Sequence, residues 1–159
     1  MATIGSVPGT WHPKLETERQ LVRSQLEKIV SDPRFAASKR YPSLLRYIVE
    51  QTLAENEDEL KERTLGVSVF HRAPDYDTNL DPVVRLCAGE VRKRLAQYYQ
   101  SPAHEGELRI DLNPGSYVPI FSPASLDVST LQGVPANISS TSKEVSQLRR
   151  EKKAFGQLA

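Results

Sequence analysis

Four cations fall within eighteen residues, Arg85, Arg92, Lys93 and Arg94 between Pro82 and Tyr99, opposed there by Glu90 alone for a net charge of +3. Guanidinium and ammonium groups repeated along one segment are the chemistry of phosphate binding, in which each neutralised phosphate releases condensed counterions. An ordinary solvated helix face is the plain alternative. Glu90 stands four residues ahead of Arg94, the favourable order for an intrahelical pair, so Arg94 ranks below Arg85, Arg92 and Lys93 as a phosphate ligand. Immediately upstream, residues 55–62 hold five acids (Glu55, Glu57, Asp58, Glu59, Glu62) and Lys61, a net of -4.

Other reactive side chains form no familiar constellation. His12, His71 and His104 are scattered and Cys87 is the single cysteine, so the spacing of a zinc site is absent. Cys87 lies on an apolar stripe and reads as a small core residue. Asp75, Asp77 and Asp81 crowd one loop without the glycine and distal glutamate of a calcium loop, which assigns them to turns and caps. With no phosphate-cradling glycine loop and no Gly-x-Ser-x-Gly elbow, neither an enzyme, a cofactor nor a small-molecule substrate is expected.

The elements that must position the cations are legible from periodicity. Asp81-Pro82 reads as a capping carboxylate with proline at the first helical position, opening a helix to about Tyr99. Val84, Cys87, Ala88, Val91, Leu95 and Tyr98 form its apolar stripe, which leaves Leu86, Gly89 and Lys93 on the opposite face and Arg85 with Arg92 along one shoulder. Earlier helices are expected at Leu15–Val30, stopped by Asp32-Pro33, at Pro42–Ala54, and, shorter, at Leu60–Phe70. Leu108 to Leu112 alternates as a half-buried strand and Tyr117 to Phe121 supplies a second, joined by Asn113-Pro114-Gly115-Ser116 as a type II turn. Pro119 places its strand at an edge.

The run Val84-Arg85-Leu86-Cys87-Ala88-Gly89-Glu90-Val91-Arg92-Lys93-Arg94-Leu95, followed by Leu112-Asn113-Pro114-Gly115-Ser116-Tyr117, resembles the recognition helix and wing of OmpR-type winged-helix transcription regulators. The wider pattern is similar to a bacterial group in which such a domain precedes cyclase-like, TolB-like or TPR regions. It runs from Leu44-Leu45-Arg46-Tyr47-Ile48-Val49-Glu50 through Thr64-Leu65-Gly66-Val67 and Phe70 to Asp81-Pro82-Val83-Val84-Arg85. The resemblance covers about residues 35–121. It implies a mainly α winged helix-turn-helix with a C-terminal β-hairpin wing, in which Leu65 and Phe70 pack beneath the recognition helix and Tyr117 anchors the wing. It further implies double-stranded DNA as partner: Arg92 and Lys93 on phosphates, Arg85 and Leu86 towards base edges beside Gly89, and Arg109, Asn113 and Ser116 contacting the backbone from the wing. The chain departs from the family in beginning with a helix where OmpR-type domains carry a small sheet, and in having Gly89, Glu90 and Asn113 where basic residues are frequent.

The chain of 159 residues, 38% of them hydrophobic with a mean hydropathy of -0.47, has room for one domain plus tails. The expected division is a flexible arm at 1–13, a winged-helix domain with an N-terminal helical extension at 14–121, and a Ser/Thr/Pro-rich linker with a basic tail at 122–159. No apolar run approaches the ~20 residues of a membrane span, and with one cysteine and no leader-like start a cytoplasmic protein is expected. Formal net charge of +1 decides nothing about an anionic partner, because local patches of both signs cancel in it. The helix at Leu15–Val30 could pair across a twofold axis in a homodimer. The rival to DNA binding is a protein-interaction module that uses the same helix face, favoured by Leu86 on that face.

Overall fold

The computed structural model describes residues 11–124. Among them are five helices, α1 (Glu16–Val30), α2 (Pro33–Ala36), α3 (Arg40–Leu53), α4 (Glu62–Phe70) and α5 (Val83–Gln100), then strands β1 (Arg109–Leu112) and β2 (Pro119–Ser122). The protein is thus mainly helical with a C-terminal antiparallel hairpin, as its periodicity predicts. Most of the expected arm at 1–13, and the linker and basic tail beyond 124, lie outside the described residues.

The core is drawn mainly from apolar positions of four helices. Val22, Leu26 and Ile29 of α1, Leu44, Leu45, Ile48 and Val49 of α3, Leu65 of α4, and Val84, Ala88, Val91 and Leu95 of α5 are all essentially removed from solvent. Helices α3, α4 and α5 pack on one another, and α1 lies against α3 and β1. Pro42 sits in the first turn of α3, where its missing N–H leaves no intrahelical bond unmade. The acidic connection after α3 is exposed apart from Leu60, and a 3-10 turn at Glu57–Glu59 carries the chain into α4.

One helix is unexpected and other helix starts shift, α3 beginning at Arg40 rather than Pro42 and α4 at Glu62 rather than Leu60. Asp32-Pro33 stops α1, but the same pair also opens the short α2, since Asp32 Oδ1 accepts from the Arg34 amide at 2.9 Å. Asp81 does not cap α5. Its carboxylate takes the Arg72 guanidinium at 2.5 Å, and Pro82 becomes the cap residue, its carbonyl accepting the first helical bond from Leu86 N–H at 3.0 Å.

The connection between α4 and α5 is fastened by Tyr76, whose hydroxyl donates to the Glu62 carbonyl at 3.2 Å while its ring lies over Gly66. A Cβ added at Gly66 would stand 2.0 Å from the Tyr76 oxygen, so any larger residue there displaces the Tyr76 side chain from this crossing.

In the hairpin, Arg109 pairs with Ser122 and Leu112 with Pro119. The turn has the expected form: Ser116 N–H donates to the Asn113 carbonyl at 3.2 Å and Gly115 takes φ +80. A two-stranded ribbon is marginal by itself. Here each outer edge is engaged. The Tyr99 hydroxyl accepts from Ile110 N–H at 2.8 Å and donates to the Leu108 carbonyl at 3.0 Å, and Trp11 N–H donates to the Phe121 carbonyl at 3.2 Å. Below the hairpin, the Glu107 carboxylate gathers Gln25 Nε2 at 2.7 Å, the Tyr98 hydroxyl at 2.8 Å and His104 Nδ1 at 3.2 Å, tying α1 to the end of α5.

Candidate nucleic-acid interface

Because α5 buries Val84, Cys87, Ala88, Val91, Leu95 and Tyr98, its other face is presented outward by helical geometry. Arg85, Leu86, Gly89 and Lys93 are exposed on it, and Arg92 is half-buried at its shoulder. Leu86 keeps 66% of its surface accessible, and a Cβ at Gly89 would meet nothing within 4 Å. The centre of the face is therefore apolar and shallow, with Lys93 two turns beyond Leu86.

Each cation of the helix has a different commitment. Arg85 Nε lies 2.9 Å from the Glu62 carboxylate and its Nη2 donates to the Thr78 carbonyl at 2.7 Å. Arg94 pairs with Glu90 at 2.6 Å, as the four-residue spacing predicts, and lies 4.2 Å over the Tyr41 ring. Lys93 enters no ion pair among the described residues.

Arg92 joins the helix to the turn. Its Nε donates to the Asn113 carbonyl at 3.2 Å and its Nη2 to the Ser116 carbonyl at 3.0 Å. Carbonyls leave the guanidinium charge intact, and Nη1 makes no bond to the described residues. Asn113, Pro114 and Gly115 are exposed at the tip, and Ser116 Oγ accepts from Val118 N–H at 3.1 Å, stiffening the exit from the turn. Tyr117 packs half-buried against the core; burial and then the Glu62 carboxylate push its phenol up, against Arg92 and Arg85.

The chain matches no protein-family model, no curated protein and no solved structure. Function has to be read from the residues themselves.

The face thus brings together Arg85, Leu86, Gly89, Arg92, Lys93, Asn113 and Ser116. Arg109 does not join them. It pairs with Ser122 at the end of the hairpin away from the turn, binds Asp111 at 2.5 Å and lies 4.9 Å from the Tyr99 ring. Arg109 stands four residues before Asn113, about 13 Å along an extended strand, a separation that the expected position of the turn already implies.

Sequence reasoning missed Glu62, which neutralises Arg85, and the Arg92 fork, whose acceptors are backbone carbonyls without a side-chain signature. Cys87 is core, as expected: it is buried with Sγ 3.6 Å from the Arg40 carbonyl, and burial pushes the thiol up to about 11. Among the described residues, no group of three or more His, Cys, Asp and Glu side chains is arranged to hold a metal ion, and no helix is long and apolar enough to cross a membrane.

Proposed function

We propose that this chain binds double-stranded DNA sequence-specifically as a winged helix and serves as a bacterial transcription regulator. In this reading α5 enters the major groove, about 12 Å wide, and the hairpin tip, as wing, reaches the adjacent backbone. The observation that carries it is the Arg92 fork: one guanidinium fixes the tip beside the exposed helix face while keeping its charge at their junction. A pre-set pair of reading elements lowers the ordering cost of binding. Lys93 supplies a second cation on the same face.

The test is fluorescence anisotropy with random duplex DNA at about 50 and 200 mM salt; with Arg92 and Lys93 as phosphate ligands, affinity falls about tenfold across that range. Lys93→Ala weakens binding to all sequences alike. A complex insensitive to salt overturns the proposal.

One observation favours the second reading, a protein-docking module: Leu80 and Leu86 are 85% and 66% exposed and Arg85 is neutralised by Glu62. Absence of DNA binding at low salt selects that reading.

A further inference from the structure

Three facts about the outward face of α5 call for a common cause. Leu86 is a large apolar side chain left 66% exposed at the end of the first turn. Gly89, one turn on, is a glycine in a helix interior, which costs stability relative to alanine. No neighbour accounts for it, since a Cβ there would stand in open space. Around these two the donors are withdrawn: Arg85 is turned to Glu62 and Thr78, and Arg94 to Glu90 and Tyr41. The first two turns therefore offer a docked duplex an apolar branch beside a bare backbone, with Lys93 about 10 Å further along for a phosphate.

Hydrogen-bond donors and acceptors on base edges gain nothing from such a surface. The one apolar group in the major groove is the 5-methyl of a pyrimidine, carried by thymine and by 5-methylcytosine. Gly89 lets the helix axis sit closer to the base edges, as Leu86 must to touch a methyl. We infer that Leu86, admitted by Gly89, reads a pyrimidine 5-methyl group, so that specificity at that step rests on van der Waals contact. This rests on the DNA-binding reading above.

The experiment is selection from random-core duplex pools by the full chain, with pools made using dTTP, using dUTP in its place, or using dUTP together with 5-methyl-dCTP. With the dTTP pool a thymine column is enriched. It disappears in the dUTP pool and in a dTTP selection with Leu86→Ala. In the recovered duplex, uracil at that position weakens binding about fourfold, the value of one buried methyl, and the thymine-to-uracil ratio falls to one in Leu86→Ala. A methylated cytosine column at the same place in the third pool assigns the contact to 5-methylcytosine as well; its absence assigns it to thymine alone. Gly89→Ala raises the melting temperature yet lowers affinity for the recovered duplex. A specific sequence without such a column, or a column that survives in Leu86→Ala, overturns the inference and leaves DNA binding standing. No enrichment in any pool, together with no binding at low salt, overturns both.

Discussion

Substitution of Arg92 separates a wing clamp from a plain phosphate ligand. Its two donors reach the carbonyls of Asn113 and Ser116 at 3.2 and 3.0 Å, one bond exposed and the other partly buried. A hydrogen bond from a charged donor contributes ~1.5–3 kcal/mol when buried and nearer ~0.5–1 kcal/mol in water's reach, so the fork holds the tip by about 2 kcal/mol. At ~1.4 kcal/mol per tenfold, that is about thirtyfold in the opening equilibrium. The reporters are the amides of Ser116 and Val118, which are bonded within the turn. In Arg92→Ala their hydrogen exchange accelerates about thirtyfold while the amides in the middle of α5 keep their protection. Arg92→Lys keeps the charge but replaces the planar, pre-organised fork on the two carbonyls with a flexible, strongly hydrated ammonium, so exchange stays close to the alanine value. On DNA, Arg92→Lys retains the salt dependence of the wild type while losing affinity, whereas Arg92→Ala loses affinity and about half of the salt slope, the remainder belonging to Lys93. Unchanged protection in Arg92→Ala, or full protection in Arg92→Lys, refutes the clamp.

Three further outcomes are expected. Gly66→Ala destabilises by ~1–3 kcal/mol through collision with Tyr76, but in a Tyr76→Ala background it stabilises by about 1 kcal/mol through helix propensity, a sign reversal read from a denaturant double-mutant cycle. At Glu107, burial disfavours the anion, yet hydrogen bonds from Gln25, Tyr98 and His104 hold its carboxyl below the ordinary 4.5; its contribution is therefore complete above pH 4.5 and lost as pH falls through the lower folded value. The melting-temperature gap between wild type and Glu107→Gln accordingly narrows in acid. Glu62→Gln releases the Arg85 charge to a phosphate, so the slope of log affinity against log salt steepens by about 0.9; an unchanged slope shows that Thr78 alone keeps Arg85 from DNA.

What the sequence displayed and what it concealed divide along a physical line. The stripe from Val84 to Tyr98 was legible because burial on a helix repeats every 3.6 residues. The turn at Asn113–Ser116 was legible because proline sets one φ and glycine permits the positive one beside it. The Glu90–Arg94 pair followed from i,i+4 geometry. Contacts that depend on three-dimensional proximity were not visible: Glu62 with Arg85, Asp81 with Arg72, and the guanidinium of Arg92 on two carbonyls. One buried cluster did leave a trace. Gln25 interrupts the apolar face of α1 between Val22 and Leu26, and a polar residue there needs a buried partner, which Glu107 provides.

The same distinction governs how charge on α5 should be counted. Summed along the helix, four cations against Glu90 give +3. Allowing also for the pairing across to Glu62, Arg85 and Arg94 each face a carboxylate, and the uncompensated charge belongs to Arg92 and Lys93. A carboxylate neutralises a guanidinium towards DNA, whereas the Asn113 and Ser116 carbonyls only orient it. Two phosphate contacts imply a salt slope of about -1.8 from this helix, against about -3.6 if all four cations were engaged. If the helix binds DNA as proposed, so shallow a slope leaves most of the affinity to contacts that salt does not screen. On this face those are Leu86 and the bare backbone of Gly89, so under the proposed function a weakly charged helix depends the more on the shape and methyl pattern of the groove.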